Sequence, residues 1–427
     1  MKVLVIGSGG REHALVWKLA QGKSVDRLFW APGNAAPRVD PKITLLSVDP
    51  TDIEGLAAAA TKEKIDLTVV GPEAPLVAGV SDLFRERGLA IFGPVKAGAR
   101  LEGSKVFSKE FFLKHQIPTG KAASFSKYEK AIAYSREQPK PLVIKADGLA
   151  AGKGVIICAK QEEVESTLHQ IMNQRVFGDA GQNVLIEECL TGPEVSVHAI
   201  TDGKSYQVLP SVQDHKRVFD GDRGPNTGGM GTYSPAPIFT QELEKRVRAE
   251  IFDRTLAGLK AEGISYCGVL YAGLMLTPDG PKILEYNCRF GDPETQVLMM
   301  RLKSDLAEAL LAACHGKLDR VQLDWHSDAA VCVVLAAGGY PGSFRKGDVI
   351  LGLDDETSAH GCVFHAGTLR KGEDVVTNGG RVLGVTARGA DLGEAIQRAY
   401  EMADRIQFQG KHCRRDIGGK ALISYKQ

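Results

Sequence analysis

Apolar and polar positions along the first 95 or so residues repeat with two periods, one typical of buried strands and one of amphipathic helices. The short apolar runs that predict strands are KVLVI, LFWAPG, IDLTVV and LAIFGP. Helical spacing between these runs predicts helices at about 12–20, 52–63 and 77–87. Strands that alternate with helices indicate an open, doubly wound α/β domain, whose ligands bind at the ends of the strands.

The section from residue 104 to residue 325 predicts a different mixture of helices and strands. Its predicted helices are 104–115, 161–173, 240–262 and 303–315. Its predicted strands are PLVIKA, GVIICA, VLIEEC, EVSVHAITDG, YQVLPSVQDH, GVLYAGLML and PKILEYN. A glycine-dense loop at 220–231 interrupts them, and a long structured loop usually has a function.

Strands dominate the pattern after residue 326. AAVCVVLAA, VFHAGTL and RVLGVTA predict strands, and NGG at 378–380 predicts a hairpin turn. A helix is predicted at about 391–406. The whole chain is therefore expected to be a multidomain protein of the α/β and α+β classes.

Charge and composition narrow the classes of function. The chain has 427 residues and a net charge of +1, so no basic field would attract nucleic acid or an anionic membrane. It has no apolar run of about 18 residues, and we therefore expect no membrane span. Its eight cysteines are scattered without a CxxC pair, which argues against a zinc site and favours a reduced, cytoplasmic setting.

The segment KILEYNCRFGDPET, residues 282–295, gives the strongest chemical signal. Side chains alternate between the faces of a strand, so Glu285 and Asn287 are predicted to point the same way. A carboxylate and a carboxamide on one face are hard oxygen ligands that suit Mg²⁺ on nucleotide phosphates. Arg289 follows, near Asp292, and predicts a fork-shaped contact with a carboxylate or a phosphate.

The loop GSGGREH at 7–13 predicts an anion site. Its Gly-rich turn opens a helix, so backbone N–H groups and the positive end of the helix dipole would face the ligand. Glu12 occupies the third position of a dinucleotide fingerprint, where glycine or alanine is needed, and no ribose-binding acid follows the second strand. These two departures argue against a nicotinamide-dependent oxidoreductase.

Two further segments suggest contacts with a nucleotide. IKADGLAAGKGV at 144–155 places Lys145 at a strand end and Lys153 in a Gly-rich turn, which predicts a loop that closes over phosphates. The motif does not match a Walker loop, since no GK[ST] precedes a helix. In LIEECLTGPE, the backbone near Glu188 and Leu190 is a candidate purine contact.

The segments SVQDHKR and GPNTGGMG form a polar stretch that is too rich in glycine for a core element. Asp214 and Lys216 lie beside the glycine loop, and this position predicts contact with a substrate. His215 by itself is more typical of a hydrogen-bonded structural histidine than of a catalyst.

Together these segments resemble the ATP-grasp ligases, and among them the phosphoribosylamine–glycine ligases of purine biosynthesis. The resemblance covers essentially the whole chain. Its markers are VLVIGSGGREHAL, VGPEAPL, LEGSK, IKADGLAAGKGV, QDHKR, GPNTGGMG, EYNCRFGDPETQ, AAGGYPG and VTNGGRVL. The chain departs from the family pattern at Ser8, where asparagine is common, and at Cys189, where an aromatic residue is frequent.

The resemblance implies a domain organisation and a set of partners. The implied domains are an N-terminal α/β substrate-binding domain at 1–103, an ATP-grasp core at 104–122 and 191–325, a lid subdomain at 123–190 and a C-terminal mostly β domain at 326–427. The implied substrates are ATP, glycine and 5-phosphoribosylamine. We expect a cytoplasmic monomer or weak dimer that binds neither nucleic acid nor membrane.

The resemblance also implies roles for individual residues. Glu285 and Asn287 would hold Mg²⁺ or Mn²⁺. The implied catalytic residues are Arg289, Lys145, Asp214 and Lys216. The implied ATP contacts are Lys105, Lys145, Gly152, Lys153, Gly154, Glu187, Glu188, Leu190 and Glu194. The implied contacts with the other substrates are Gly9, Gly10, Arg11, Glu12, Asp214, Asn226, Thr227, Gly228, Gly229, Arg289 and Asp292.

The implied reaction forms glycyl phosphate from glycine and ATP, and the amine of phosphoribosylamine then displaces phosphate. One alternative is another ATP-grasp enzyme of purine synthesis that uses bicarbonate or formate. A second alternative is a nucleotide-binding regulator without catalysis.

Overall fold

The computed structural model describes residues 1–36, 40–149, 154–353 and 357–424. Its strands are β1 Lys2–Gly7, β2 Arg27–Pro32, β3 Ile43–Leu45, β4 Leu67–Val70, β5 Ile91–Phe92, β6 Ala122–Phe125, β7 Leu142–Ala146, β8 Val155–Cys158, β9 Val184–Glu188, β10 Glu194–Thr201, β11 Tyr206–Val208, β12 Gln213–Asp214, β13 Arg217–Phe219, β14 Arg223–Asn226, β15 Gly231–Ser234, β16 Gly268–Thr277, β17 Gly280–Asn287, β18 Ala329–Ala336, β19 Gly361–His365, β20 Thr368–Lys371, β21 Asp374–Thr377 and β22 Arg381–Gly389.

Its α-helices are α1 Gly10–Ala20, α2 Ile53–Glu63, α3 Glu73–Ala78, α4 Val80–Glu86, α5 Lys96–Gly103, α6 Lys105–Lys114, α7 Tyr128–Glu137, α8 Gln161–Leu168, α9 Gln241–Val247, α10 Asp253–Ala261, α11 Glu294–Arg301, α12 Leu306–Cys314, α13 Leu392–Arg405 and α14 Gly419–Ser424. The π-helical turn His169–Asn173 continues α8, and the turn Arg248–Phe252 joins α9 to α10. No described helix combines the length and the apolar character that crossing a membrane requires.

The N-terminal unit is a five-stranded parallel sheet in the order β3-β2-β1-β4-β5. The strand order reverses beside β1, so the loop between β1 and α1 lies at the switch point where such sheets bind ligands. Gly7 has φ +120° in this loop, and a Cβ there would lie 2.6 Å from Glu12 Cγ. Glycine is therefore required for the tight turn that leads into α1.

Two antiparallel sheets form the middle of the chain. The larger one has the order β11-β10-β16-β17, and the smaller one has the order β6-β9-β7-β8. Apolar side chains of the smaller sheet pack with α7 and α8 into a core of their own, separate from the two large core clusters. The smaller sheet and these two helices therefore form a unit with a core of its own.

A third large sheet joins the middle of the chain to the C-terminal region. Its order is β12-β15-β18-β22-β19, so β12 and β15 from the middle section pair into a sheet that the C-terminal strands complete. β15 and β18 are antiparallel, with Thr232 opposite Cys332. The segment 211–234 is thereby fixed between the central sheet and the C-terminal region.

Several element predictions were wrong in detail. NGG at 378–380 is not a hairpin turn, because β21 pairs with β20 whereas β22 pairs with β18 and β19. The predicted strand VFHAGTL divides into β19 and β20, which belong to different sheets. The predicted helix at 77–87 divides at Gly79, which has φ +102°. Apolar alternation identifies strands but not their partners, which depend on tertiary contacts.

Candidate active site

One face of the central sheet collects the side chains that build the candidate site. β17 is extended, so Glu285 and Asn287 project from one face two residues apart. The register places Gly273 of β16 opposite Glu285 and Tyr271 opposite Asn287. β10 continues the row with Ser196 opposite Gly273. A polar face therefore crosses three neighbouring strands.

Glu285 lies among three lysines. Lys105 Nζ, at the start of α6, is 3.4 Å from Glu285 Oε2, and Lys145 and Lys216 add their positive charges. Burial alone would raise the pKa of the Glu285 carboxyl, but the three ammonium groups lower it to about 2. The carboxylate is therefore ionised at neutral pH. This combination of one anion and several cations suits nucleotide phosphates bound together with a divalent ion.

A buried cluster of ion pairs holds Lys145 in place. Its Nζ lies 2.7 Å from Glu187 Oε2 and donates to the carbonyl oxygen of Leu284 at 3.1 Å. Lys109 Nζ lies 3.0 Å from the other oxygen of Glu187, which is only 5% exposed. The carboxylate of Glu187, predicted to contact the nucleotide, is thus occupied by two lysines. The sequence analysis did not identify Lys109, although it follows Lys105 by one turn of the same helix.

The end of β9 and the start of β10 supply the other predicted nucleotide contacts. Glu188 accepts the backbone N–H of Lys121 through Oε1 at 2.8 Å. The half-buried Leu190 lies beside Gly120, where a Cβ would be 3.5 Å from Leu190 Cγ. Glu194, an implied ATP contact, forms an ion pair with Lys216 at 2.8 Å. Glu194 and Lys216 are both partly exposed, so this pair is open to competition from a ligand.

The predicted phosphate-covering loop is described only in part. Gly152 and Lys153 lie outside the described residues. Gly154 is described, and its carbonyl oxygen accepts the backbone N–H of Ala146 at 2.9 Å. The base of the loop is therefore closed by the β7–β8 pairing.

Arg289 is braced by two carboxylates from the N-terminal part of the chain. Its Nε lies 3.2 Å from Glu73 Oε2, its Nη2 lies 2.8 Å from Glu102 Oε1, and its Nη1 donates to the carbonyl oxygen of Phe290. Burial alone would lower the pKa of Arg289, but Glu102 and Glu73 raise it. Glu73 lies in the marker VGPEAPL and Glu102 lies in LEGSK, and the sequence analysis assigned no role to either acid.

Carboxylates already occupy N–H groups in the first turn of α1. Gly9 N donates to Glu12 Oε2 at 2.6 Å, and Arg11 N donates to Asp292 Oδ2 at 3.4 Å. The buried side chain of Arg11 pairs with Glu12 at 2.6 Å and donates to the carbonyl oxygen of Phe290 at 3.0 Å. These carboxylates accept from the N–H groups of Gly9 and Arg11, which the sequence analysis expected to face an anion, and the anion site stays a prediction. The predicted residues do meet here, since this turn and Asp292 are in contact.

A second group of site residues is acidic. Glu294, at the start of α11, accepts a hydrogen bond from Tyr271 Oη at 2.5 Å, and Ser196 Oγ lies 2.9 Å from the same Tyr271 oxygen. Burial and the charge of Glu294 raise the pKa of Asp214 well above its ordinary value, although Lys216 opposes this effect. The sequence analysis missed Glu294 and Tyr271 as site residues. A carboxyl with a raised pKa suits a group that carries or releases protons, such as an amine.

His198 is a further side chain that the sequence analysis did not identify. Its ring packs on Tyr271 with the centroids 4.2 Å apart. Among the described residues neither ring nitrogen has a hydrogen-bond partner, and burial lowers the pKa of His198 to about 3. The neutral ring therefore packs against the ring of Tyr271 and holds it in position. Alternation along β10 from Ser196 is the signal that could have indicated it.

The glycine loop at 224–231 packs against Asp214. Thr227 donates to the carbonyl oxygen of Lys216 through its backbone N–H at 2.7 Å, and its hydroxyl donates there at 2.9 Å. Gly229 has φ +113°, and a Cβ there would lie 2.7 Å from Asp214 Oδ1. Asn226 lies on the exposed strand β14, opposite Arg217. The loop therefore places Thr227 and Gly229 beside the acidic group, whereas Asn226 lies at its outer edge.

Family models match the chain in three consecutive parts. Residues 1–102 match the N domain of phosphoribosylglycinamide synthetase, residues 103–295 match its ATP-grasp (A) domain, and residues 330–420 match its C domain. Among known structures, the biotin carboxylase domain of the 2-oxoglutarate carboxylase of Hydrogenobacter thermophilus has a TM-score of 0.75 and 17% identity, over 96% of this chain and 91% of that one. This likeness shows the fold alone.

Similarity to named ligases extends over the full length. The phosphoribosylamine–glycine ligases of Vibrio cholerae and Escherichia coli K12 are each 54% identical to the chain, over 99% of both sequences. The crystal structure of the ligase of the same name from Thermotoga maritima superposes with a TM-score of 0.84 and 37% identity, over 98% of this chain and 100% of that one. The chain therefore belongs to the phosphoribosylamine–glycine ligase family of ATP-grasp enzymes.

Proposed function

We propose that the protein is an ATP-dependent ligase that joins glycine to 5-phosphoribosylamine and produces glycinamide ribonucleotide, ADP and phosphate. The observation that carries this proposal is the meeting of two oppositely charged groups at one site. Lysines surround Glu285, while Asp214 and Glu294 form an acidic group beside them. The membership in the family supports the identity of the substrates.

The proposed reaction has two steps. An oxygen of the glycine carboxylate attacks the γ-phosphorus of ATP, the bond to the β–γ bridging oxygen breaks, and ADP leaves. The amine nitrogen of phosphoribosylamine then attacks the carbonyl carbon of glycyl phosphate, phosphate leaves with the electron pair of the C–O bond, and the amine loses one proton. Positioning and neutralisation of charge are the main contributions of a protein to such phosphoryl transfer.

The lysine-rich group, which consists of Lys105, Lys145 and Lys216 around Glu285, would bind the nucleotide. Lys105 and Lys145 would contact phosphate oxygens, and the ion pair with Glu187 supports this by keeping Lys145 in position. The segment around Glu188 and Leu190 would contact the adenine. The lid subdomain, with Gly152, Lys153 and Gly154 in its loop, would close over the phosphates and exclude water from the acyl phosphate.

Glu285 and Asn287 fit a magnesium or manganese ion. Both offer oxygen donors from one face of β17, and the low pKa of Glu285 keeps its donor ionised. A bound ion would neutralise charge on the phosphate oxygens. Among the described residues no group of three or more His, Cys, Asp and Glu side chains forms a metal site by itself, so phosphate oxygens are expected to complete the coordination.

Arg289 and the acidic group would handle the other two substrates. Arg289, fixed by Glu73 and Glu102, would orient the glycine carboxylate. Asp214, whose pKa is raised, would take the proton that the attacking amine releases. Lys216 would exchange its ion pair with Glu194 for contacts with the substrates as the nucleotide binds. Asp292, Glu12 and the backbone of the 9–11 turn would contact the ribose of phosphoribosylamine.

Release of ADP with systematic omission of each component tests the proposal. The assay contains enzyme, Mg²⁺, ATP, glycine and freshly generated phosphoribosylamine, and the product is identified by mass. We expect release that requires both glycine and phosphoribosylamine, together with glycinamide ribonucleotide. Release supported by bicarbonate or formate in place of glycine would favour the alternative ATP-grasp reaction, and nucleotide binding without any release would overturn the catalytic proposal.

We also propose that the protein acts in the cytoplasm as a monomer or a weak dimer. All eight cysteines are free thiols, which is typical of a reducing compartment. Sedimentation at several concentrations tests the oligomeric state, and a stable tetramer at low concentration would contradict the proposal.

A further inference from the structure

One arginine of the C-terminal region reaches into the site. The reaction proposed above assigns no role to any residue that follows Glu294 in the sequence. Arg381 starts β22, and its Nη1 donates to the carbonyl oxygens of Gly228 and Asp292, each at 2.7 Å. The same nitrogen lies 3.4 Å from the carbonyl oxygen of Gly229. A single guanidinium thus connects the glycine loop with the segment that follows β17.

A second C-terminal side chain holds the same loop from the other side. Tyr340 Oη accepts the backbone N–H of Gly228 at 3.1 Å. The loop has little room at this point, since a Cβ on Gly228 would lie 3.0 Å from Arg381 Cζ. Both polar groups of the Gly228 backbone are therefore bonded to side chains from the C-terminal region.

The same loop contacts two candidate catalytic residues, Asp214 and Lys216. Gly229 N donates to Thr227 Oγ1 at 3.0 Å, and Thr227 is bonded to the carbonyl oxygen of Lys216. Gly229 also packs against Asp214, as the short distance from a Cβ at this position shows. A shift of this loop would therefore move the backbone of Lys216 and the wall beside Asp214 together.

Arg381 also contacts the side chain of Asp292. Arg381 Nη2 lies 3.5 Å from Asp292 Oδ2, and the same carboxylate oxygen accepts the N–H of Arg11 at 3.4 Å. Gln296 Nε2 donates to the other oxygen at 3.0 Å. The N-terminal turn, the middle of the chain and the C-terminal strand β22 therefore meet at one carboxylate.

We propose that Arg381 is a positioning residue for the phosphoribosylamine side of the site. It fixes the 227–229 segment and Asp292 relative to each other, so that the amine reaches the acyl phosphate beside Asp214. Lys105 and Lys145, the two lysines proposed to bind the phosphates, are held by Glu285 and Glu187 instead. This inference rests on the proposed ligase function, and it assigns the C-terminal region a part in binding one substrate.

Two substitutions of Arg381, with a matched control, test the inference. Arg381→Met removes all the donated hydrogen bonds, and Arg381→Lys keeps the charge but loses the planar fork that reaches two carbonyl groups. Arg388→Lys is the control, because Arg388 lies on the same strand with similar exposure and has an ion pair with Asp328, at 3.6 Å, away from the glycine loop. Each variant is assayed for KM with all three substrates and for thermal unfolding.

We expect Arg381→Met to raise the KM for phosphoribosylamine about tenfold or more, as the loss of a charged hydrogen bond predicts, and Arg381→Lys to recover part of that loss. The KM for ATP should stay within about twofold of the wild-type value, because its contacts lie elsewhere. Tyr340→Phe, which removes one oxygen and is milder, should raise the KM for phosphoribosylamine by a smaller factor.

An equal rise of all three KM values in Arg381→Met, or a KM for phosphoribosylamine equal to that of Arg388→Lys, would overturn the inference. If Arg381→Met does not fold, Tyr340→Phe is used in its place. The rise in its KM for phosphoribosylamine is then compared with the rise in its KM for ATP. Failure of the proposed function is distinguishable, because the wild-type enzyme would then form no glycinamide ribonucleotide.

Discussion

The two charged groups of the site place similar carboxyl groups in opposite environments. Glu285 is surrounded by Lys105, Lys145 and Lys216, and its pKa falls to about 2. Asp214 lies beside Glu294, and burial together with that neighbour raises its pKa well above the ordinary value. The lysine-rich group is therefore ready for a polyanion, whereas the acidic group is ready for an amine and its proton.

The contrast between the environments of Glu285 and Asp214 shows how one sheet can serve both proposed steps, phosphoryl transfer and attack by the amine. The lysine-rich group lies where the sheet β6-β9-β7-β8, which has its own core, meets the central sheet through the hydrogen bond from Lys145 to the carbonyl oxygen of Leu284. The acidic group lies where the glycine loop and the C-terminal region meet that sheet. In the proposed reaction the acyl phosphate would form between them, so each group would need to stabilise only one kind of charge.

The largest expected effect concerns the metal site. Glu285→Ala removes the ionised oxygen donor, and we expect kcat/KM to fall by about a thousandfold or more, on the scale of a lost electrostatic contact in a reaction site. The variant should remain folded and should bind Mn²⁺ more weakly, as measured by electron paramagnetic resonance. Glu244→Ala on the exposed helix α9 serves as the control. Turnover at the wild-type level in Glu285→Ala would refute the metal assignment.

The next largest effect concerns Arg289. Lysine cannot bridge Glu73 and Glu102 and also present a planar fork, so Arg289→Lys should lose about a hundredfold in kcat/KM for glycine. The KM for ATP should change little. Steady-state kinetics with glycine as the varied substrate measures the effect. An unchanged dependence on glycine would show that Arg289 has only a structural role.

Asp214→Asn probes the acidic group. The folded state raises the pKa of Asp214, so the wild-type rate should increase as the pH rises through that value and the base becomes available. The carboxamide of the variant cannot accept the proton, and this acidic limb of the pH–rate profile should disappear, with a loss of about tenfold to a hundredfold in kcat. A profile that keeps its acidic limb in the variant would assign the limb to another group.

The same two acids should have opposite effects on stability. The raised pKa of Asp214 means that ionisation opposes folding, so its contribution becomes less favourable as the pH rises from the unfolded-state value through the raised folded-state value. Asp214→Asn should therefore be more resistant to urea than the wild type at pH 8, and this advantage should shrink at pH 5. A less stable variant at pH 8 would contradict the assigned environment.

Glu285 should behave in the reverse manner. Its lowered pKa contributes stability above the unfolded-state value, and this contribution is lost as the pH falls towards about 2. After allowance for screening of its partly exposed side chain, Glu285→Gln should cost about 1 kcal/mol at pH 7. The difference between wild type and variant in urea unfolding should narrow as the pH is lowered, and a constant difference would refute the account.

Local chemistry was predictable from the sequence where it depends on a period of two along one strand. Glu285 and Asn287 were placed on one face by alternation alone, and the strand register confirms that they share it. The segment with Asp214 and Lys216 was recognised from its polarity beside glycine residues. The resemblance to a family supplied the substrates, which no residue pattern specifies.

The remaining features depend on contacts between distant parts of the chain. The pairing of Glu187 with Lys109 and the bracing of Arg289 by Glu73 and Glu102 join residues that are far apart in sequence. Arg381 is a further case, because it meets Gly228 across 153 positions. Hydrophobic periodicity carries no information about such pairs, so the structure was needed to find them.

Two single substitutions compared in one binding and kinetic experiment test the division of the site most directly. Lys105→Met and Asp214→Asn are each titrated with ATP and Mg²⁺ by calorimetry and assayed for kcat/KM with phosphoribosylamine. We predict that Lys105→Met weakens ATP binding about tenfold, as one charged contact implies, while Asp214→Asn binds ATP normally and loses kcat/KM for phosphoribosylamine. Equal loss of ATP affinity in both variants would contradict the account, because the two groups would then act as one.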